Sequence, residues 1–200
     1  MSIATEWAAE DEYALPEQVS RIHVGLKDEE DTLSGKAKRK IRKDRLHECL
    51  KKENPDVLYT FCRNANYRGI LAAKGTGVPV IASVRSDPNV DYASFIQKTI
   101  ASFLYQKAAG MVFQTEDARD YFPKSIQKKS KIILNPLNEK YQVKETVTTR
   151  RKAVVAVGRF HEAKDHLTLI KAFEILLKKY PDYVLELYGD ASEDNTYYIV

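Results

Sequence analysis

Short apolar runs alternate along this chain with stretches of helical periodicity, and that alternation narrows the available folds more than any other feature. The runs fall at residues 57–61 (VLYTF), 80–84 (VIASV), 111–113 (MVF), 131–134 (KIIL), 153–157 (AVVAV) and 184–187 (VLEL). Each is too short for a buried helix and is flanked by turn residues, as in Asn54-Pro55-Asp56, Gly75-Thr76-Gly77 and Asn135-Pro136. Earlier, Ile3-Ala4-Thr5 reads as a strand, and Ile22, Val24 and Leu26 alternate with polar neighbours as a half-buried one. Between the runs the period changes to that of helices. Residues 34–53 form one, 67–73 a short one, 92–108 another, 117–122 a short one, and 169–180 the last. Strand alternating with helix predicts parallel pairing and an α/β, Rossmann-like doubly wound sheet. In such sheets ligands sit beyond the carboxyl ends of the strands, so loops beginning at Cys62, Arg85, Thr115 and Asn135 should face one crevice.

Hydrophobic residues make up 44% of the 200, which suits a packed globular protein and excludes a disordered one. A net charge of +4 in a chain that is 30% charged does not mark a nucleic-acid binder. Cys49 and Cys62 lack metal-site spacing and read as reduced thiols of a cytoplasmic protein. The first residues carry no basic and apolar leader, and no apolar run nears the ~20 residues of a membrane span.

Periodicity fails between Leu137 and Lys152, which reads as a linker or hinge. The expected organisation is therefore a first domain over residues 1–136, a hinge over 137–152, and the start of a second Rossmann-like domain over 153–200. About fifty residues cannot bury an independent core of ordinary size, so the second domain reads as partial. Its opening segment runs Val154-Val155-Ala156-Val157-Gly158-Arg159-Phe160-His161-Glu162-Ala163-Lys164-Asp165-His166-Leu167. A buried strand stops at a glycine, a fixed cation follows, a second cation sits five residues on, and Asp165 is placed to cap a helix. Two cations and a helix start suit a phosphate or diphosphate.

That segment, with Leu169-Ile170-Lys171-Ala172-Phe173 and Leu187-Tyr188-Gly189-Asp190, resembles the signature of family 4 (group 1) retaining glycosyltransferases. Pro55-Asp56-Val57-Leu58, Val112-Phe113-Gln114-Thr115 and Ile132-Ile133-Leu134-Asn135-Pro136 add matches in the right order, so the likeness covers nearly the whole chain. The resemblance implies the GT-B architecture, two Rossmann-like domains across a cleft, with acceptor on the first and nucleotide-activated sugar on the second. It implies a transferase moving a hexose from a nucleotide-diphosphate sugar to a glycan or lipid-linked acceptor, in cell-surface polysaccharide synthesis, with no cofactor or metal. It places Gly158, Arg159 and Lys164 at the donor diphosphate, with Arg159 and Lys164 stabilising the departing charge. It also implies truncation at both ends. The family's first glycine-rich β-α unit has no counterpart here, and its paired glutamates would fall past Val200. The isolated chain is then expected to be inactive, and the competing reading is a non-catalytic module that docks on a partner or an anionic membrane.

Arg85 stands where many relatives carry His, and Arg85-Ser86-Asp87-Pro88-Asn89 places Arg85 and Asp87 as cleft candidates, with mutual pairing in a turn as the alternative. Ala109 stands where Asp commonly precedes the next strand. His161 and His166 read as surface or capping residues. Tyr92, Phe95, Phe103 and Phe113 are expected in the core. Lys36, Lys38, Arg39, Lys40, Arg42, Lys43 and Arg45 crowd one helix. They read first as a solvated face and second as peripheral contact, through residues 36–45, with the anionic inner face of a membrane. No aromatic platform accompanies them, so nucleic acid is not an expected partner.

Overall fold

The computed structural model describes residues 1–7, 12–139 and 149–190. The chain divides into two compact units, Met1–Pro136 and Leu137–Val200. Most of the hinge lies outside the described residues.

In the first unit, β1 (Ser2–Thr5) pairs parallel with β2 (Ser20–His23). A second sheet has the order β3 (Leu58–Phe61), β4 (Val80–Ser83), β5 (Gly110–Phe113) and β6 (Ser130–Ile132), all parallel. Its registers set Phe61 beside Ser83, Ser83 beside Val112, and Phe113 beside Ile132, so the four carboxyl ends share one edge. The connections are α1 (Gly35–Glu53), α2 (Arg63–Ala72), α3 (Pro88–Asp91), α4 (Phe95–Tyr105), α5 (Glu116–Asp120) and α6 (Lys124–Gln127). The α/β reading with parallel strands holds throughout. In the second unit, β7 (Ala153–Val157) pairs parallel with β8 (Val184–Tyr188), joined through α7 (His166–Leu177).

Local chemistry sets most boundaries. Ser34 caps α1 by accepting from the Ala37 amide at 3.4 Å, and Asn54 closes it in the left-handed region. At α4, Ser94 and Gln97 satisfy each other's backbone amides. Gly75 and Gly77 both take φ near +80°, a turn conformation open to glycine at little cost.

Three expectations are corrected. The second strand ends at His23, before Val24 and Leu26, because the Gly25 α-carbon lies against the Glu6 carbonyl and the chain turns away there. Helix α2 begins at Arg63, four residues before the expected start, following Cys62 at φ +68°. The third concerns the core. Tyr92 and Phe113 are buried within it, together with Tyr105, Phe122, Met111 and Ile126. Phe95 and Phe103 are not core residues: they are 84% and 61% exposed.

A polar network stiffens that core. The Tyr92 and Tyr105 hydroxyls meet at 2.6 Å, and Asn66 Nδ2 donates to Ser83 O at 2.9 Å and to the Tyr105 hydroxyl at 3.3 Å. The Tyr121 hydroxyl donates to Tyr92 O at 2.6 Å. Burial pushes the Tyr92 and Tyr105 hydroxyls well above the usual phenol range.

Several cations of the basic helix pair with carboxylates of their own chain. Lys38 pairs with Asp31 at 2.8 Å, Lys40 and Lys43 both reach Asp44 at 2.7 Å, and Arg45 reaches Glu30 at 2.8 Å. Arg42 lies 3.9 Å from Glu6 and 5.4 Å from the centre of the Trp7 ring. Five of the seven cations crowded on α1 are therefore matched by a carboxylate. Among the described residues no helix is long and apolar enough to cross a membrane.

Candidate functional site

The loop after β7 is built on close contact between two strand ends. The ladder runs to the Val157–Tyr188 pair, and the Gly158 amide then donates to Tyr188 O at 2.9 Å. Two residues further, the Phe160 amide donates to Asp190 O at 3.0 Å. These bonds hold residues 158–160 along the end of β8. They also explain Gly189: a β-carbon there would lie 2.9 Å from the Gly158 carbonyl carbon and closer still to its oxygen.

After Phe160 the chain makes a single helical turn, Glu162–Lys164, which His161 caps by accepting from the Ala163 amide at 3.1 Å. Asp165 follows at φ +46° and accepts from the Thr168 amide at 3.3 Å, so it caps α7 as its position in the sequence predicts. The cap has a chemical consequence. The start of α7 already holds a carboxylate of its own chain, so an incoming anion must be held by the side-chain cations of the loop. His161 is a capping residue, and the buried His166 packs its ring 5.2 Å from that of Phe160.

Lys164 returns toward Gly158. A β-carbon built on Gly158 would lie 3.6 Å from Lys164 Cγ and Cδ, an ordinary van der Waals contact. The lysine stem thus lies along the glycine at the end of β7. Arg159 projects from the next residue, and both cationic residues are exposed. Among the described residues neither is paired with a carboxylate. The nearby cations that are paired, Arg151 with Glu186 at 2.7 Å and Lys152 with Asp182, sit at the other end of the strands. Two unneutralised cations at the carboxyl end of a parallel strand can attract and hold a phosphate-type anion.

In the first unit, Arg85 lies just past β4. It donates to Asn135 Oδ1 just past β6, and its guanidinium stands 5.9 Å from the centre of the Phe61 ring at the end of β3. One side chain thus spans the carboxyl edge of the sheet, as the crevice reading requires of these loops. Asp87 does not pair with Arg85. It accepts from the Asn89 amide at 2.8 Å and from Asn89 Nδ2 at 3.0 Å, capping α3. Ser86 donates to Asp91 and Arg63 donates to Asp91 O, which ties the start of α2 to the same loop. Sequence placed the loop beginning at Asn135 at the crevice but did not show its bond to Arg85, and Phe61 read only as a strand-end residue. Among the described residues no group of three His, Cys, Asp or Glu side chains could hold a metal ion.

No family model and no curated protein matches this sequence. Solved structures do. Alr3699/HepE of Anabaena, in complex with UDP and glucose, superimposes with a TM-score of 0.64 at 16% identity, over 90% of this chain and 50% of that one. The lipopolysaccharide outer core galactosyltransferase WaaB, in its apo form, gives a TM-score of 0.58 at 9% identity, over 86% of this chain and 54% of that one. The UDP-GlcNAc 2-epimerase of Methanocaldococcus jannaschii gives 0.51 at 14% identity, over 87% of this chain and 52% of that one. The chain therefore spans about half the length of each of these neighbours. At these identities the likeness is one of fold, a partial, Rossmann-like GT-B arrangement.

Proposed function

We propose that this chain is part of an enzyme that transfers a sugar from a nucleotide-diphosphate sugar to a glycan or lipid-linked acceptor. The observation that carries this reading is the loop at residues 158–164. Two exposed cations, without carboxylate partners among the described residues, sit there at the carboxyl end of β7, one of them laid along a glycine. HepE, a neighbour of the same fold, is in complex with UDP and glucose.

Transfer breaks the bond between the sugar's anomeric carbon and a phosphate oxygen. Negative charge therefore grows on the departing diphosphate as the reaction proceeds. Arg159 offers a planar guanidinium fork and Lys164 a compact ammonium, both placed before the charge appears. An interaction that strengthens toward the transition state raises turnover as well as affinity. The bare α-carbon of Gly158 lets a phosphate approach the backbone beside Lys164. On the first unit, Arg85 is the residue we assign to the acceptor side of the crevice. Retention of anomeric configuration, a hexose donor and a place in cell-surface polysaccharide synthesis follow from the family resemblance and complete the proposal.

The test is kinetic. Arg159→Ala and Lys164→Ala, made in the complete enzyme, should each raise the barrier by about 2–4 kcal/mol, mostly through kcat, with the fold intact. Unchanged turnover in both variants would overturn the reading. Formation of an epimerised nucleotide sugar with no transfer to any acceptor would replace it with the chemistry of the epimerase neighbour.

A further inference from the structure

Strand β3 packs one face and exposes the other. Leu58 and Thr60 lie against Gly69 of α2. Tyr59 and Phe61 alternate with them, so they project from the opposite face, where they are 41% and 52% exposed. Their ring centres are 5.4 Å apart and their planes tilt by 33°, which makes one shallow aromatic surface along the strand. β3 is also the edge of its sheet. Single exposed apolar residues are ordinary, but two adjoining rings on an edge strand mark a contact surface.

The surroundings of the rings identify the occupant. Register places Phe61 beside Ser83, Ser83 beside Val112 and Val112 beside Lys131, so these four share the outward face, and none is acidic. Ser83 Oγ is buried there and has no hydrogen-bond partner among the described residues. Arg85 follows on the same side, 5.9 Å from the centre of the Phe61 ring and bonded to Asn135. Among the described residues Arg85 has no carboxylate partner. The acids of its own loop are engaged elsewhere, Asp87 in capping α3 and Asp91 with Ser86. A partner helix would need a broad apolar face, whereas this aromatic strip is one strand wide and closes on a hydroxyl and a cation. A pyranose ring fits it better. Its apolar C–H face stacks on an aromatic ring, its hydroxyls bond to an amide such as that of Asn135, and an acid group on it pairs with a guanidinium fork.

We propose that the Tyr59–Phe61 face, with Arg85, receives the acceptor, and that this acceptor is an acidic glycan. The inference rests on the sugar-transfer reading and names its substrate class. The terminal sugar lies on Phe61 at the carboxyl edge of the sheet, with its acid group at Arg85. The next sugar lies on Tyr59, one ring further from that edge. Arg85 thus selects for charge, and the two rings set the direction in which the glycan runs along β3. Asn135 holds the guanidinium at this edge. A uronate and a sugar phosphate share the chemistry read here, an anion carried on a pyranose, and the test separates them.

Backbone amide NMR of the 200-residue chain tests this by titration. The probes are tetragalacturonate, the same tetrasaccharide with its carboxylates reduced to alcohols, and glucose 6-phosphate. An acidic probe should give saturable shifts at Tyr59, Phe61 and Arg85, and the tighter of the two identifies the acid group. The neutral probe should bind at least about tenfold more weakly than that one. Arg85→Gln should abolish the difference. Tyr59→Ala/Phe61→Ala should weaken binding at least about fivefold, with circular dichroism unchanged because both rings are exposed. Arg39→Gln, which removes an exposed charge elsewhere, should bind like the unaltered chain. No shifts at these residues with either acidic probe, equal affinity for the neutral one, or binding unmoved by both site variants would each overturn the proposal. So would a dimer in gel filtration that the alanine variant dissolves, with no probe bound. UDP added to the same sample keeps the two readings apart. Shifts at residues 158–164 without glycan binding overturn the acceptor assignment alone; glycan binding without those shifts contradicts sugar transfer and leaves the acidic-glycan site standing.

Discussion

Gly189 sits against the carbonyl of Gly158, so the two strand ends of the second unit meet backbone to backbone. A β-carbon at Gly189 would fall 2.9 Å from the Gly158 carbonyl carbon, with the oxygen nearer still. The nearest atoms to a β-carbon at Gly158 would be those of the Lys164 stem, at 3.6 Å. The two glycines therefore differ in what they do.

Gly189→Ala should destabilise the second unit by about 1–3 kcal/mol, because backbone must shift to admit the methyl group. Gly158→Ala should change stability by less than about 0.5 kcal/mol. If Gly158 is where phosphate approaches the backbone, that second variant should still weaken binding of a nucleoside diphosphate. Thermal unfolding, with and without the nucleotide, separates the two effects.

Acid should loosen the first unit by releasing the carboxylates that hold α1. Hydrogen bonds from Lys40 and Lys43 hold the Asp44 carboxyl down from 3.8 to about 2. Asp31 is lowered by its bond from Lys38, and Glu30 by its bond from the Lys27 amide and then by Arg45. A carboxyl whose native pKa is depressed contributes stability above its unfolded pKa and loses that contribution as pH falls through the native value. Stability should accordingly decline as pH is lowered below about 4. The pairs at Asp31 and Asp44 are exposed, so added salt should flatten the decline. Urea midpoints across that range, at low and high salt, check both statements.

The tyrosine pair in the core gives a sharper prediction. Tyr105→Phe removes the hydroxyl 2.6 Å from that of Tyr92 and leaves the Tyr92 hydroxyl buried without its partner. The expected cost is about 1–3 kcal/mol. Tyr121→Phe removes a donor to Tyr92 O from a half-buried side chain and should cost less. Urea unfolding of the two variants should rank them in that order.

How far the sequence could be read depended on which signals were local. The β7 strand, the Asp165 cap and the turn at Gly75 to Gly77 were legible because propensity and capping chemistry act within a few residues. The start of α2 was not, because Cys62 at φ +68° carries none of the usual capping side chains. Helix α4 was recognised by its period, yet its faces were assigned wrongly. Both sides of it are apolar, so spacing alone could not separate buried Leu104 and Tyr105 from exposed Phe95 and Phe103. At the candidate site, the places of Arg159 and Lys164 in the loop after a strand could be read from the local pattern. The reach of Arg85 to Asn135, fifty residues away, and to Phe61 depends on parallel strands brought edge to edge, which no local pattern encodes.

The central claim is that the loop from Gly158 to Lys164 receives the diphosphate of a sugar nucleotide. Backbone amide NMR of the chain during titration with UDP tests it most directly. Saturable shifts concentrated at Gly158, Arg159 and Lys164, and abolished by Lys164→Ala while the rest of the spectrum is preserved, are the predicted result. Saturable shifts elsewhere in the chain that leave residues 158–164 unmoved would contradict it.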